Sequence, residues 1–441
     1  MGFLFAVMRP HSSDIRENPL GRMFFYCSPI NGQGGITMQY RQDKNGRDIS
    51  LLGFGCMRLM RSAGGIDLNK GAQQIRRAVE LGVNYVDTAY TYPGNEEALG
   101  AILEREHLRD RVYIATKLPQ YMVNSSRAIE KYFQEELRRL RTDHIDYYLM
   151  HMLTDLAAWQ KLEALGIRDW IAEKKTAGQI TNIGFSFHGS TEPFLSILNA
   201  YDWDFCQIQY NYMDEHSQAG RRGLDEAQRR GIPVIIMEPL RGGKLVNGLP
   251  AEALELIARE APGRQPAELG FRWLYDQPGV TCVLSGMNSL EMVEENCRWA
   301  DESRPDTLTE KDFALYEQLK TIINARVQVN CTGCGYCMPC PQGVDIPGTF
   351  RCWNRMYTES KYSGRFEYFQ TVSLQKEPPF ATRCVGCGRC ERHCPQHLPI
   401  IDSLKRADRA LRPPVVRVAN RVAQAWLFRR KPAGSSEGKS E

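Results

Sequence analysis

The chain has 441 residues, 42% of them hydrophobic and 24% charged, with a formal net charge of +4. This length exceeds one ordinary domain and suits a barrel with a smaller appendage, and the composition supplies a large core and excludes a disordered chain. The charge is too mild to argue for nucleic acid as a partner, and no apolar run reaches the length of a membrane-spanning helix.

Residues 1–37 carry little signal. Gly2–Met8 is apolar but short, with no charge before it and no small-residue cleavage site after it, so it makes a poor signal peptide. Asn31–Gly35 reads as linker and Met38 is a candidate start, which leaves 1–37 as a leader. Asn45-Gly46, between two short alternating runs, predicts a hairpin turn.

From Leu51 onward, strand and helix signals alternate for about 240 residues, a normal length for one α/β barrel. The expected strands are Leu51–Met57, Val83–Thr88, Val112–Thr116, Ile145–His151, Ile180–Ser186, Cys206–Tyr210, Pro233–Met237 and Cys282–Leu284. Stretches such as Asn69–Leu81 and Ser125–Arg141 space their apolar residues as helices do. Eight strands in such alternation predict a (β/α)8 barrel over 38–325, with the hairpin capping its bottom. An open doubly wound sheet would want Gly-x-Gly-x-x-Gly after the first strand, and GFGCMR is not that.

Three of these strands close on ionisable residues: Asp87 with Tyr92 just beyond it, Lys117, and His151. In a parallel barrel all strand C-termini meet on one face, and that face carries the chemistry. Tyrosine, with an ordinary pKa of about 10, is a poor acid at neutral pH. A lysine cation beside it favours the phenolate, an aspartate keeps that lysine charged, and a histidine can orient a carbonyl oxygen. The four together suit proton transfer to a substrate oxygen while hydride moves to carbon.

The pieces VDTAYTY, YIATK and DYYLMH resemble the aldo-keto reductases, and Asp87, Tyr92, Lys117 and His151 match that family's tetrad in order and spacing. The resemblance covers about Met38–Ala325. It implies an NADP- or NAD-dependent oxidoreductase acting on a small carbonyl or alcohol. It also implies that Ser186 and Gln207 hold the nicotinamide amide, and that the EPLRGGKL loop, with Glu238, Leu240 and Gly242, folds over the pyrophosphate. Gly286 and Asn288 then open a helix whose Glu295 and Asn296 reach the adenine. Phe187 stands where many relatives have Asn, and Met237 where many have an aromatic ring for the nicotinamide.

Beyond the barrel, nine of the fourteen cysteines lie between Cys331 and Cys394. Cys384, Cys387, Cys390 and Cys394-Pro395 form the C-x2-C-x2-C-x3-C-P run of bacterial-type ferredoxins. Cys331, Cys334, Cys337 and Cys340-Pro341 nearly repeat it, with one residue fewer before the last cysteine. The crossed arrangement of such runs places Cys331, Cys334, Cys337 and Cys394 on one [4Fe–4S] cluster and Cys384, Cys387, Cys390 and Cys340 on a second. Structural zinc is the alternative, but zinc ribbons rarely place three cysteines at x2 steps followed by Cys-Pro. Cys56, Cys206, Cys282, Cys297 and Cys352 read as core thiols, and His393 and His397 as surface residues. Helices over Asp345–Pro379 are expected to bridge barrel and clusters. Such thiol usage implies a reducing compartment and a cytoplasmic protein.

This region, 326–411, reads as a small ferredoxin-like domain, and 412–441 as a basic amphipathic helix with a disordered end. The helix is expected to pack on its own protein, ahead of a membrane surface or an acidic partner. The whole chain therefore resembles an aldo-keto reductase with an appended iron–sulfur domain. The alternative reading is an electron-transfer protein, with a redox partner protein, in which the clusters carry the main function.

Overall fold

The computed structural model describes residues 37–427 except 63–64, 332, 334, 336 and 395–396. The leader, Cys334, Pro395 and the end of the tail lie outside the described residues.

Strands β1 (Tyr40–Gln42) and β2 (Asp48–Ser50) pair as the expected antiparallel hairpin. The eight barrel strands follow: β3 (Leu52–Gly55), β4 (Tyr85–Asp87), β5 (Tyr113–Leu118), β6 (Ile145–Leu153), β7 (Ile180–Phe187), β8 (Phe205–Gln209), β9 (Val234–Met237) and β10 (Cys282–Ser285). All pair in parallel, in sequence order, and β10 returns to β3 through Val283 opposite Leu52, which closes the barrel. The hairpin caps the bottom: Tyr147, near the start of β6, donates its hydroxyl to Asp43 Oδ2 at 2.6 Å.

Two strands run two residues further than expected. β5 runs on past Thr116 and β6 past His151, because the ladder continues through Lys117 opposite Leu149 and Leu118 opposite Met150. Lys117 and His151 are thus held inside strands. β9 starts at Val234 and not Pro233, which has no N–H for the ladder, although its carbonyl still accepts from Cys206 N at 2.9 Å.

Side chains on a strand alternate between faces. Tyr85, Ala115, Tyr147, Leu149, Phe205, Ile235, Cys282 and Leu284 pack together inside the barrel, while Val86, Ile114, Tyr148, Met150, Cys206 and Ile208 join the larger layer beneath the helices. Asp87, Lys117 and His151 each stand two residues beyond an inward-facing side chain. Period two therefore turns all three into the barrel mouth, as it does Ser186, Gln207 and Met237.

The C-terminal region has its own apolar core, including Phe350, Trp353, Tyr368 and Leu404. The bridging segment forms helices Ile346–Thr358 and Lys361–Tyr368, with a wide π turn over Phe369–Ser373. The last helix, Pro414–Leu427, packs one edge on that turn. Asn420 Nδ2 donates to Ser373 Oγ at 3.0 Å, while Val415, Val418 and Val422 face outward. No helix among the described residues is long and apolar enough to cross a membrane.

Candidate active site

At the barrel mouth, Lys117 Nζ donates to Asp87 Oδ1 at 2.7 Å, to Asp87 Oδ2 at 2.6 Å and to the Thr88 carbonyl at 2.6 Å. Both side chains are buried. An ammonium has three donors, so these contacts use them all. None remains for the Tyr92 hydroxyl, and the cation acts on Tyr92 through space, with Nζ 5.5 Å from its ring centroid. Burial, with Asp87 and Glu238 nearby, pushes the Tyr92 hydroxyl well above its ordinary pKa, so the residue holds its proton at neutral pH.

The His151 ring lies edge-on to Tyr92 with centroids 6.2 Å apart, and its Nδ1 is 3.5 Å from Thr91 Oγ1. Burial, together with the cation of Lys117, holds His151 well below its ordinary pKa, so it stands neutral. With Nδ1 turned to Thr91, Nε2 is the nitrogen left to face a substrate. Tyr121 packs on the other side of His151, with centroids 6.3 Å apart. Thr91 and Tyr121 escaped the sequence reading because a threonine and a tyrosine in loops carry no pattern of their own.

On the cofactor side, Ser186 Oγ accepts from Met152 N at 2.8 Å, and Gln207 Nε2 donates to Asp87 Oδ2 at 3.0 Å. Both stand at the mouth, within the inward-facing set. Phe187 is buried against Phe194 in the outer layer and faces away from it. Glu238, Leu240 and Gly242 follow β9, and Gly286 and Asn288 follow β10. Arg58 lies between these two loops: a Cβ on Gly286 would meet Arg58 Cγ at 2.5 Å, and one on Gly242 would meet its Nη2 at 3.2 Å. Arg58 is exposed and makes no ion pair among the described residues, a cationic floor suited to a pyrophosphate. Within GFGCMR nothing marks that role.

Helix Leu290–Glu302 starts with Ser289 Oγ accepting from Met292 N. Asn296 is buried and donates to Ser285 Oγ at 2.9 Å, whereas Glu295 accepts from Gln265 Nε2 at 2.7 Å.

A buried ion network joins this mouth to the C-terminal region. Asp214 takes a forked contact from Arg241, whose Nη1 reaches Glu359 Oε1 at 3.2 Å. Arg355 lies 2.9 Å from Glu359 and 3.0 Å from Glu367, which also accepts from Arg351 at 2.8 Å. Three carboxylates thus meet three guanidiniums. Glu238, beside them, is a further carboxyl; burial, opposed by Arg355 and reinforced by Glu367 and Asp214, pushes it up to about 7.

Among the predicted metal ligands, Cys337, Cys340, Cys384, Cys387 and Cys390 line one cavity, so thiols assigned to both expected clusters meet there. Cys394 is buried in the same apolar core against which Cys331 packs. Gly386 and Gly388, on either side of Cys387, have φ near +70°, which lets the loop turn tightly there. Among the described residues no three Cys, His, Asp or Glu side chains converge on a point as a single ion would require. Cys352 and the four barrel thiols are buried, and His393 and His397 are exposed.

Two family models match the chain: "Aldo/keto reductase family" over residues 51–320 and "4Fe-4S dicluster domain" over residues 330–398. An uncharacterized oxidoreductase of Bacillus subtilis is 29% identical over 60% of this chain and 91% of its own length. A methylglyoxal reductase of Escherichia coli is 26% identical over 47% of this chain and 72% of its own. Among solved structures, the holo form of an aldo-keto reductase from Bacillus halodurans aligns with a TM-score of 0.53 at 27% identity, covering 64% of this chain and 96% of that one. A Klebsiella pneumoniae aldo/keto reductase in complex with NADP and acetate has the same fold, with a TM-score of 0.53 at 24% identity over 64% of this chain and 95% of its own.

Proposed function

The chain belongs to the aldo/keto reductase family and carries a 4Fe-4S domain, and from that premise we propose that it transfers hydride between a nicotinamide cofactor and a carbonyl or alcohol substrate, with Tyr92 as general acid and base. The observation that carries this reading is the convergence of Tyr92 and His151 on the buried Asp87–Lys117 pair at the barrel mouth.

In reduction, the Tyr92 hydroxyl and His151 Nε2 both donate to the carbonyl oxygen and fix its position. NADPH or NADH, when bound, supplies the hydride. As carbon gains it, the C=O π pair moves onto oxygen and the Tyr92 proton follows, giving the alcohol and leaving a phenolate. Lys117, locked by Asp87, holds its positive charge 5.5 Å from the centre of the Tyr92 ring, and this lowers the cost of a proton that Tyr92 otherwise holds tightly. Alcohol oxidation runs the same transfers backward.

Arg58, Gly242 and Gly286 form the pyrophosphate seat in this reading, Ser186 and Gln207 meet the nicotinamide amide, and Asn288, Glu295 and Asn296 lie toward the adenine. The NADP named in the Klebsiella structure supports that choice of cofactor.

In the C-terminal region, Cys340, Cys384, Cys387 and Cys390 would hold one [4Fe–4S] cluster and Cys331, Cys334, Cys337 and Cys394 another. These groups, when bound, supply sulfur–iron bonds that fix the loops, and one-electron chemistry.

Tyr92→Phe removes the proton donor and nothing else. It is expected to lower NADPH-dependent carbonyl reduction by about 10²–10⁴-fold, with iron content unchanged. Undiminished turnover would overturn the role of Tyr92.

A further inference from the structure

A cavity of about 390 Å³, within the range of small-molecule sites, has as one wall Tyr121, whose ring packs on His151. Its walls come from three places. Gln120 and Tyr121 follow β5, Met152 to Lys161 come from the end of β6 and helix Leu156–Glu163, and Leu374 and Lys376 come from the C-terminal region. Tyr121 ties it to the reacting centre, because its ring packs on His151 with centroids 6.3 Å apart.

The walls are largely apolar, so the few charges decide what enters. They are Lys161, Lys376 and Asp155. Asp155 is already engaged: its Oδ1 accepts from Ala158 N at 2.9 Å and caps the helix, and burial raises its pKa against the opposing pull of the helix N–H groups and of Lys376. Lys161 is different. Its one hydrogen bond is a long 3.5 Å contact to the Gln120 carbonyl, and it makes no ion pair among the described residues. Burial alone lowers its pKa, with no carboxylate opposing. A half-buried ammonium with no counter-charge costs stability unless a ligand supplies one.

Resting on the reading of the barrel mouth as a carbonyl-reducing site, we propose that the substrate is a carbonyl compound, or the matching alcohol, that carries a carboxylate, which Lys161 binds while the carbonyl meets Tyr92 and His151. Two ammoniums against one carboxylate leave a single positive charge in the wall, which one monoanionic group neutralises. Leu374 and Lys376 close the same pocket, so the iron–sulfur region supplies part of the substrate wall. The family's barrel alone lacks that surface, since the family match ends at residue 320.

The test compares 4-carboxybenzaldehyde with its uncharged analogue 4-formylbenzamide, on the full-length, iron-loaded protein with NADPH. The expected ratio of kcat/KM is about tenfold or more in favour of the carboxylate, the usual worth of one charge-assisted hydrogen bond. Lys161→Met should bring the ratio to near one, mostly through KM, while Lys161→Arg keeps most of it. Lys376→Met, on an exposed side chain, should lower it less. A ratio near one in the wild type, or one unmoved by Lys161→Met, overturns the proposal even if both aldehydes are reduced. If neither aldehyde is reduced, the reading of the barrel chemistry fails. Calorimetric binding of 4-(hydroxymethyl)benzoate then decides the subsite by itself. Binding about tenfold weaker in Lys161→Met supports it, and equal binding overturns it.

Discussion

The barrel and the cysteine-rich region hold their functional atoms in place by different means. In the barrel, Asp87, Lys117 and His151 ride on adjacent strands whose ladder fixes both height and facing. A slip of one residue would exchange them for Val86 or Thr88, Thr116 or Leu118, and Met150 or Met152, so register alone decides whether there is a site. The C-terminal region has no strand among the described residues. Its thiols sit in loops between helices around a small apolar core, and in the proposed reading ligation supplies the rigidity that the ladder supplies elsewhere. Between the two lies the ion network of Asp214, Arg241, Glu359, Arg355, Glu367 and Arg351, charges that neither half could bury alone. The barrel therefore positions Asp87, Lys117 and His151 by strand register, and the C-terminal region is tied to it through these buried charges.

The sharpest way to break this contrast is Cys387→Ala. If ligation holds the second region, the variant should lose roughly half of the iron, one cluster of two, and lose structure over 326–411, while circular dichroism shows the barrel folded. A chain that unfolds completely would make the two parts one cooperative unit.

Arg355→Met attacks the seam between them. It leaves Glu359 and Glu367 with one guanidinium each and a net buried negative charge, at a cost of about 3–5 kcal/mol. Denaturant unfolding should show the loss in the transition of the C-terminal region. Adding Glu359→Gln should recover part of it, whereas equal losses in single and double variants would mean that the network is not coupled.

Glu238 gives the smallest and most specific effect. The folded chain holds its proton up to about 7, whereas the unfolded chain releases it near 4.5. Folding is therefore favoured most below that lower value and loses stability as pH rises through the folded pKa, by at most roughly 3 kcal/mol. Glu238→Gln should flatten the stability curve over that window, and an unchanged slope would place the titration elsewhere.

Much of the barrel is legible in the sequence, since its signals are local: period-two runs, Asn45-Gly46, and ionisable residues at the strand ends. The cysteine spacing is equally local, and thiols from both runs, Cys337 and Cys340 with Cys384, Cys387 and Cys390, line one cavity. What the sequence hides depends on distance. Arg241 and Glu359 are 118 residues apart, and on their own elements each reads as a solvated charge. Lys161 looks like an ordinary surface lysine of a short amphipathic helix until Leu374 and Lys376 arrive to roof it. Arg58 gains meaning only because the loops after β9 and β10 close on either side of it.

One measurement bears most directly on the claim that the barrel transfers hydride to a carbonyl and the iron–sulfur region stands beside that chemistry. It is the anaerobic absorption spectrum of the full-length protein with NADPH, before and after adding an aldehyde. The account predicts iron–sulfur absorbance that stays oxidised with NADPH alone, and NADPH consumed once the aldehyde is present. Bleaching of that absorbance by NADPH alone, with no consumption on adding aldehyde, would contradict it and make the clusters the destination of the electrons.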